Sequence, residues 1–365
     1  MNNQRREMVD GASAIARGAL DAGCNYFAGY PITPASGILS HMLRELPKVG
    51  GIGFQGEDEI SSLGHCIGAA MAGATVFTAT SGPGLSLYSE NLGLAIMMEV
   101  PIVIAISQRL GPSTGAATAS AQGDIQFMRW GTTGGYPMIV LSPTNISESY
   151  HLTKRAFKLA KRFRTPVFLA SDKDTVMTTE SVSVDAMKHA PDWPEIPNGI
   201  IKKALDPYRV DGPIHHYTGS SHNDDGHITK DPDIIATLNE QLRMKIESNL
   251  DELSLVKSDL EAGADTLMVS YGVSARSMDA AVNKIRNAGN KISSMTIYSL
   301  WPIPEKTIQD CLKGIKRVIV PEMNHGQYLR EIERLVNRDI ELIGVNRVDT
   351  ILITPEEIIG AYHGR

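Results

Sequence analysis

The chain has 365 residues, a length that suits two compact units and a linker better than one core. Apolar residues make up 42% and charged residues 21%, ordinary for a globular chain, and a net charge of -6 without any basic, aromatic-studded stripe argues against nucleic acid as the main partner. The longest apolar runs, such as residues 100–107 and 136–141, are too short to span a bilayer, and the opening MNNQRREMVDG lacks the apolar stretch of a secretory signal.

Taken in chain order, a first helix is predicted over residues 10–22 and a first strand over 25–29. A helix follows over 36–46, with Ile38, Leu39, Met42 and Leu46 at helical spacing. Next come a strand at 51–54, a helix at 59–73, a strand at 74–80, a helix at 85–98 and a strand at 101–107. Strands at 138–141 and 166–170, with a helix at 146–161 between them, complete a doubly wound α/β domain over residues 1–180. From 181 the periodicity dissolves into Pro, Gly, Asp and His. Residues 181–260 therefore read as a linker followed by a connecting helix from 233 to 260. A second, smaller α/β domain over 261–365 is predicted from strands at 266–271, 291–296, 317–321 and 340–344. Its helices are predicted at 276–288, 304–312 and 328–337.

Cys24, Cys66 and Cys311 are far apart with no C-x-x-C pair. This chain alone is therefore expected to hold no metal and no iron–sulfur cluster, and its thiols suit a reducing cytoplasm. His215, His216, His222 and His227 sit near Asp224 and Asp225 in the linker, but their spacing matches no metal template and they read as solvated linker residues.

Four loops after predicted strands carry the chemistry. In Gly29-Tyr30-Pro31-Ile32-Thr33-Pro34, prolines stiffen a turn around a threonine hydroxyl, at the strand end where open α/β sheets bind ligands; the bland alternative is a helix cap. In Glu57-Asp58-Glu59, helix-start acids are favoured by the dipole, but Glu59 precedes Ile60, Leu63 and Ile67 and is expected to turn toward an interface. Ser81-Gly82-Pro83-Gly84 lies between strand and helix without the spacing of a dinucleotide fingerprint. Finally, Arg109 opens Leu110-Gly111-Pro112-Ser113-Thr114-Gly115 and offers a planar fork suited to a carboxylate; a lone surface ion pair is the alternative.

Together and in this order, GYPITPAS, QGEDEISS, TATSGPGLSL, QRLGPSTG, AQGD, WGTTGGY and RTPVFLASD resemble segments of the α subunit of 2-oxoacid:ferredoxin oxidoreductases, in the 2-oxoglutarate-type branch. VSYGVSAR, LWPIPE and VIVPEMNHGQ are similar to that family's second domain, so the likeness spans essentially the whole chain. The resemblance implies a domain gripping the aminopyrimidine of thiamine pyrophosphate, plus a transketolase C-terminal-like domain. It implies that Glu59 hydrogen-bonds the pyrimidine, that Pro31, Ile32, Gly82, Pro83 and Gly84 line the cofactor, and that Thr33, Arg109, Ser113 and Thr114 hold the 2-oxoacid. No G-D-G with following asparagines is found, and Gly123-Asp124 has no such sequel. By resemblance, the diphosphate, Mg2+ and a 4Fe-4S cluster then belong to a partner β subunit, and the active site lies between chains. Ferredoxin and coenzyme A are the further implied partners. Whether γ and δ subunits join stays open, as does the choice among 2-oxoglutarate, pyruvate, branched-chain and indole oxoacids. A non-catalytic structural subunit is the reading from another class.

Overall fold

A computed structural model describes residues 5–201 and 215–364. The first four residues of the N-terminal segment and residues 202–214 of the predicted linker lie outside the described residues. The strands in chain order are β1 (Arg6–Asp10), β2 (Tyr26–Gly29), β3 (Ile52–Gln55), β4 (Val76–Thr80), β5 (Ile102–Gln108), β6 (Ile139–Leu141) and β7 (Pro166–Asp172). There follow β8 (Thr179–Ser183), β9 (Val256–Asp259), β10 (Thr266–Ser270), β11 (Ser293–Ile297), β12 (Ser299–Trp301), β13 (Arg317–Glu322) and β14 (Glu341–Asn346).

The first sheet runs β12-β6-β7-β5-β4-β2-β3 and is parallel except at β12. Its central strand β5 is buried at every residue, as the run IVIAISQ requires when helices cover both faces. Ile102, Ile104 and Ile106 join one core, whereas Val103 and Ala105 join the core on the opposite face, the two-residue alternation of a strand. The second sheet runs β14-β13-β10-β11-β9, with only β9 antiparallel. The core on the Ile104 side also takes in Tyr271, Val269, Val318 and Val320 of the second sheet region, so both sheets share one apolar interior. The α/β class read from the sequence is the class observed.

Several elements differ from expectation. The predicted helix over 233–260 ends early, as helices Pro232–Glu247 and Leu250–Leu253, and the chain then extends into β9. That strand is a polar VKSD, half-buried at one residue and exposed at three, and it offers no apolar run to betray it. The helix expected over 85–98 begins sooner, at Gly82, and is divided at Tyr88 into Gly82–Leu87 and Ser89–Met97. The helix expected over 328–337 is only Leu329–Glu333. Several elements were not predicted, among them the antiparallel β1–β8 ribbon, β12, the helix Ile125–Trp130 and the helix Pro355–Tyr362, the last in spite of its Thr354–Glu357 capping box. Among the described residues no helix is long and apolar enough to cross a membrane.

Candidate functional site

Because β5, β4, β2 and β3 are neighbours and all parallel, the four loops that follow them emerge along one edge of the first sheet. That edge is where open α/β sheets bind ligands. In the loop after β3, Asp58 accepts the Ser61 amide at 2.7 Å in a capping box, which starts the helix Glu59–Met71 at Glu59. Glu59 is only 6% exposed, and its carboxylate makes no hydrogen bond or ion pair with a described residue. Gly84, in the first turn of the helix after β4, lies directly on it. A Cβ there would stand 2.5 Å from Glu59 Cγ, 2.7 Å from Glu59 Oε1 and 2.1 Å from Thr80 Oγ1. Only glycine fits, and the glycine brings the two loops together.

Arg109 performs a similar junction between the other two loops. Its Nη1 donates to the Thr33 carbonyl and its Nη2 to the Thr114 carbonyl at 3.2 Å. The expected free fork is therefore partly committed to backbone. One hydrogen on each Nη and the Nε–H remain, and Nε is buried without a partner among the described residues. The loop closes on itself through Leu110 and Ala116, with Ser113 at φ 52 and both Ser113 and Thr114 exposed. Pro31 is exposed, whereas Ile32 is half-buried and packs into the core under the turn.

A cavity of about 490 Å³ opens beside these loops, lined by Gly82, Pro83, Arg109, Ser113 and Asp124, and by His325 from the turn after β13. Thr33, Thr114 and Glu59 do not line it; Glu59 sits behind Gly84. Ser81 Oγ, Arg109 Nε and Asp124 Oδ2 are all buried at this edge without a hydrogen-bond partner among the described residues. Buried polar atoms are nearly always hydrogen-bonded, so such a concentration marks a ligand-facing surface.

The residues missed from sequence lie one layer behind. The Gln122 carboxamide donates to Asp172 Oδ2 at 3.4 Å and to the Tyr271 carbonyl at 3.2 Å, and accepts from Ser274 Oγ at 2.7 Å and the Met323 amide at 3.0 Å. Asn324 donates to the Gln122 carbonyl and to the Tyr271 hydroxyl, each at 2.8 Å, and Tyr271 donates to Glu322 at 3.0 Å. This network bolts the second sheet to the loops of the first. Burial pushes the Asp172 carboxyl up to about 7, against the pull of the Val273 amide. Burial likewise raises Asp124 to about 7, opposed by the Arg109 charge, and raises Glu322 against the amides of Leu329 and Tyr328. AQGD and MNHGQ were the available signals, but burial of an acid has no sequence pattern.

Cys24, Cys66 and Cys311 are buried, and burial pushes the Cys24 and Cys66 thiols up to about 12. His216 and His227 stack with ring centres 4.0 Å apart, and His227 pairs with Asp225 at 3.2 Å in solvent. Among the described residues no group of three or more His, Cys, Asp or Glu side chains is placed to hold a metal.

The sequence profile of the pyruvate flavodoxin/ferredoxin oxidoreductase thiamine-diphosphate-binding domain matches residues 17–239, and that of pyruvate:ferredoxin oxidoreductase core domain II matches 264–358. The chain is 39% identical to 2-oxoglutarate synthase subunit KorA of Archaeoglobus fulgidus, over 98% of this chain and 99% of that one. It is 34% identical to ketoisovalerate oxidoreductase subunit VorB of Methanothermobacter thermautotrophicus, over 97% and 96%. Its fold is similar to that of a 2-oxoglutarate:ferredoxin oxidoreductase from Magnetococcus marinus, solved with 2-oxoglutarate, coenzyme A and succinyl-CoA bound. The TM-score is 0.91 at 29% identity, covering 100% of this chain and 66% of that chain.

Proposed function

The chain belongs to the 2-oxoacid:ferredoxin oxidoreductase family, and on that basis we propose that it is the α subunit of a 2-oxoglutarate:ferredoxin oxidoreductase whose active site it shares with a partner chain. The carrying observation is Glu59, a buried carboxylate without a hydrogen-bond or ion-pair partner among the described residues, pressed against Gly84 beside the Arg109 loop. A buried carboxylate demands a donor, and a cofactor pyrimidine ring supplies one. When bound, thiamine diphosphate contributes the nucleophilic carbon and the electron sink that decarboxylation of a 2-oxoacid needs.

In this reading Glu59 holds a proton at the pyrimidine N1′, with Pro31, Ile32, Gly82, Pro83 and Gly84 shaping the surface under the ring. The uncommitted N–H groups of Arg109 bind the 2-oxoacid carboxylate, helped by the Thr33 hydroxyl and by Ser113 and Thr114 at the rim. The guanidinium is held in place by the carbonyls of Thr33 and Thr114, so little motion is left to lose on binding. The diphosphate, its Mg2+ and the 4Fe-4S cluster sit on a β subunit, since no diphosphate–Mg2+ motif or cysteine cluster is found in this sequence. Oxidative decarboxylation then yields an acyl-coenzyme A, with electrons passing to ferredoxin, in the cytoplasm. The 34% sequence identity to a ketoisovalerate oxidoreductase subunit supports a second reading in which a branched-chain oxoacid is the substrate.

The test is viologen reduction by the chain purified with its partner. 2-Oxoglutarate is expected to exceed 2-oxoisovalerate in kcat/KM, and the reverse order selects the second reading. Glu59→Gln, which keeps the shape but not the charge, is expected to lower turnover by about 100-fold or more with the fold retained. Wild-type turnover in this variant would remove Glu59 from the mechanism.

A further inference from the structure

Asp124 is the acidic group of the cavity, and the reading above leaves it without a role. Its amide donates to Gln108 Oε1 at 3.4 Å, which fixes the backbone at the strand end. Its carboxyl lies against Gly82, where a Cβ would stand 3.0 Å from Oδ1 and 3.3 Å from Oδ2, so the glycine makes room for it. The residue as a whole keeps some exposed surface, but Oδ2 is out of solvent and has no hydrogen-bond partner among the described residues. Arg109 lines the same cavity, yet among the described residues no ion pair within 4.0 Å joins the two. An ionised oxygen cut off from water is costly, and the Arg109 charge only partly offsets that cost, so the neutral acid is favoured. Burial raises this carboxyl to about 7, so near neutrality a large share of it carries the proton.

We propose that Asp124 is a substrate-binding acid, whose neutral carboxyl donates a hydrogen bond from Oδ2 to an anionic oxygen of the 2-oxoacid beside Arg109. This rests on the 2-oxoacid reading of the same cavity. Ionised, Asp124 could only repel that oxygen; protonated, it is a donor where the substrate offers acceptors. Arg109 faces it from the end of β5, and His325 faces the cavity from the turn after β13. Glu59 lies behind Gly84, and Asp172 lies behind Gln108, whose Nε2 donates to Asp172 Oδ1 at 3.3 Å. Ionisation of Asp124 is thus expected to set an upper pH limit on substrate affinity.

The experiment measures the dissociation constant of 2-oxoglutarate by calorimetry on the complex of this chain with its partner. Wild type, Asp124→Asn and His325→Asn are compared. One ionisation near neutrality predicts about a tenfold loss of wild-type affinity between about pH 6 and about pH 8. Asp124→Asn keeps an N–H donor and is expected to stay within about threefold over that range, while His325→Asn retains the wild-type slope. Infrared difference spectra of the same complexes, without substrate, should show a neutral carboxylic acid in wild type at about pH 6 that is absent from Asp124→Asn. Should Asp124→Asn fail to fold, Asp124→Glu is expected to move the midpoint of the affinity curve. Equal pH curves for wild type and Asp124→Asn, a flat curve in His325→Asn, an unmoved midpoint in Asp124→Glu, or no neutral acid at the low pH would each overturn the inference alone. A wild-type complex that binds a branched-chain oxoacid with the same pH limit supports it. One that binds no 2-oxoacid at any pH overturns the substrate reading, and this inference with it.

Discussion

Arg109 shows how much a single side chain is asked to do at this site. It is 5% exposed, ties two loops through carbonyls of Thr33 and Thr114, and keeps a buried Nε in reserve. Arg109→Lys preserves the charge but loses the fork. The loss of charge-assisted bonds to substrate and loops is expected to cost about 2–4 kcal/mol, which is about 30- to 1000-fold in kcat/KM for 2-oxoglutarate. Steady-state kinetics at saturating cofactor check this, and a change under about threefold removes the carboxylate-anchor role. Thr33, Glu59 and Arg109 were singled out in the sequence because each closely follows a predicted strand, and the roles proposed for them come from the family resemblance. Asp124 and Asp172 were not, because nothing local distinguishes a buried aspartate from a solvated one; what buries Asp172 includes the amide of Val273, 101 residues away.

At the scale of elements, the helix Gly82–Leu87 is the piece on which the site depends. It begins at Gly82 and not at the predicted residue 85, which brings Gly84 onto Glu59 and Gly82 onto Asp124. Gly84→Ala would push a methyl group against Thr80 Oγ1 and Glu59 together. Overpacking of this kind costs about 1–3 kcal/mol, and here it displaces the carboxylate as well. Gly84→Ala is therefore expected to melt a few degrees lower and to lose most turnover, in contrast to Glu59→Gln, which keeps stability. Differential scanning calorimetry beside the turnover assay separates the two. Strands β5 and β7 were readable as continuous β-branched or apolar runs because parallel strands are covered on both faces. β1, β8 and β9 escaped notice because they are short, largely exposed and polar, and their pairing partners are remote in sequence.

For the whole molecule, the buried polar network between the sheets carries a pH signature. Asp172, Asp124 and Glu322 are all raised by burial, so the folded chain binds protons more readily than the unfolded one. Their contribution is fully present below the unfolded carboxylate range near about 4 and is lost as pH rises through the folded values, about 7 for the two aspartates. The melting temperature should accordingly fall between about pH 5 and about pH 8.5, and Asp172→Asn should flatten part of that fall. A wild-type curve that rises over this range would refute the assignment. The union of the two sheets was not readable from sequence, since it rests on tertiary contacts of Gln122, Tyr271, Glu322 and Asn324.

Strand β12 joins the first sheet from the C-terminal half, antiparallel to β6 at its edge. A ribosome releases Leu141 long before it reaches Trp301, so a nascent chain carries the bare hydrogen-bonding edge of β6 through much of its synthesis. Sheet edges left open invite pairing with other chains. Cleaving the gene between its two halves would make that exposure permanent: the N-terminal half expressed alone should aggregate, and co-expression of the C-terminal half should rescue it.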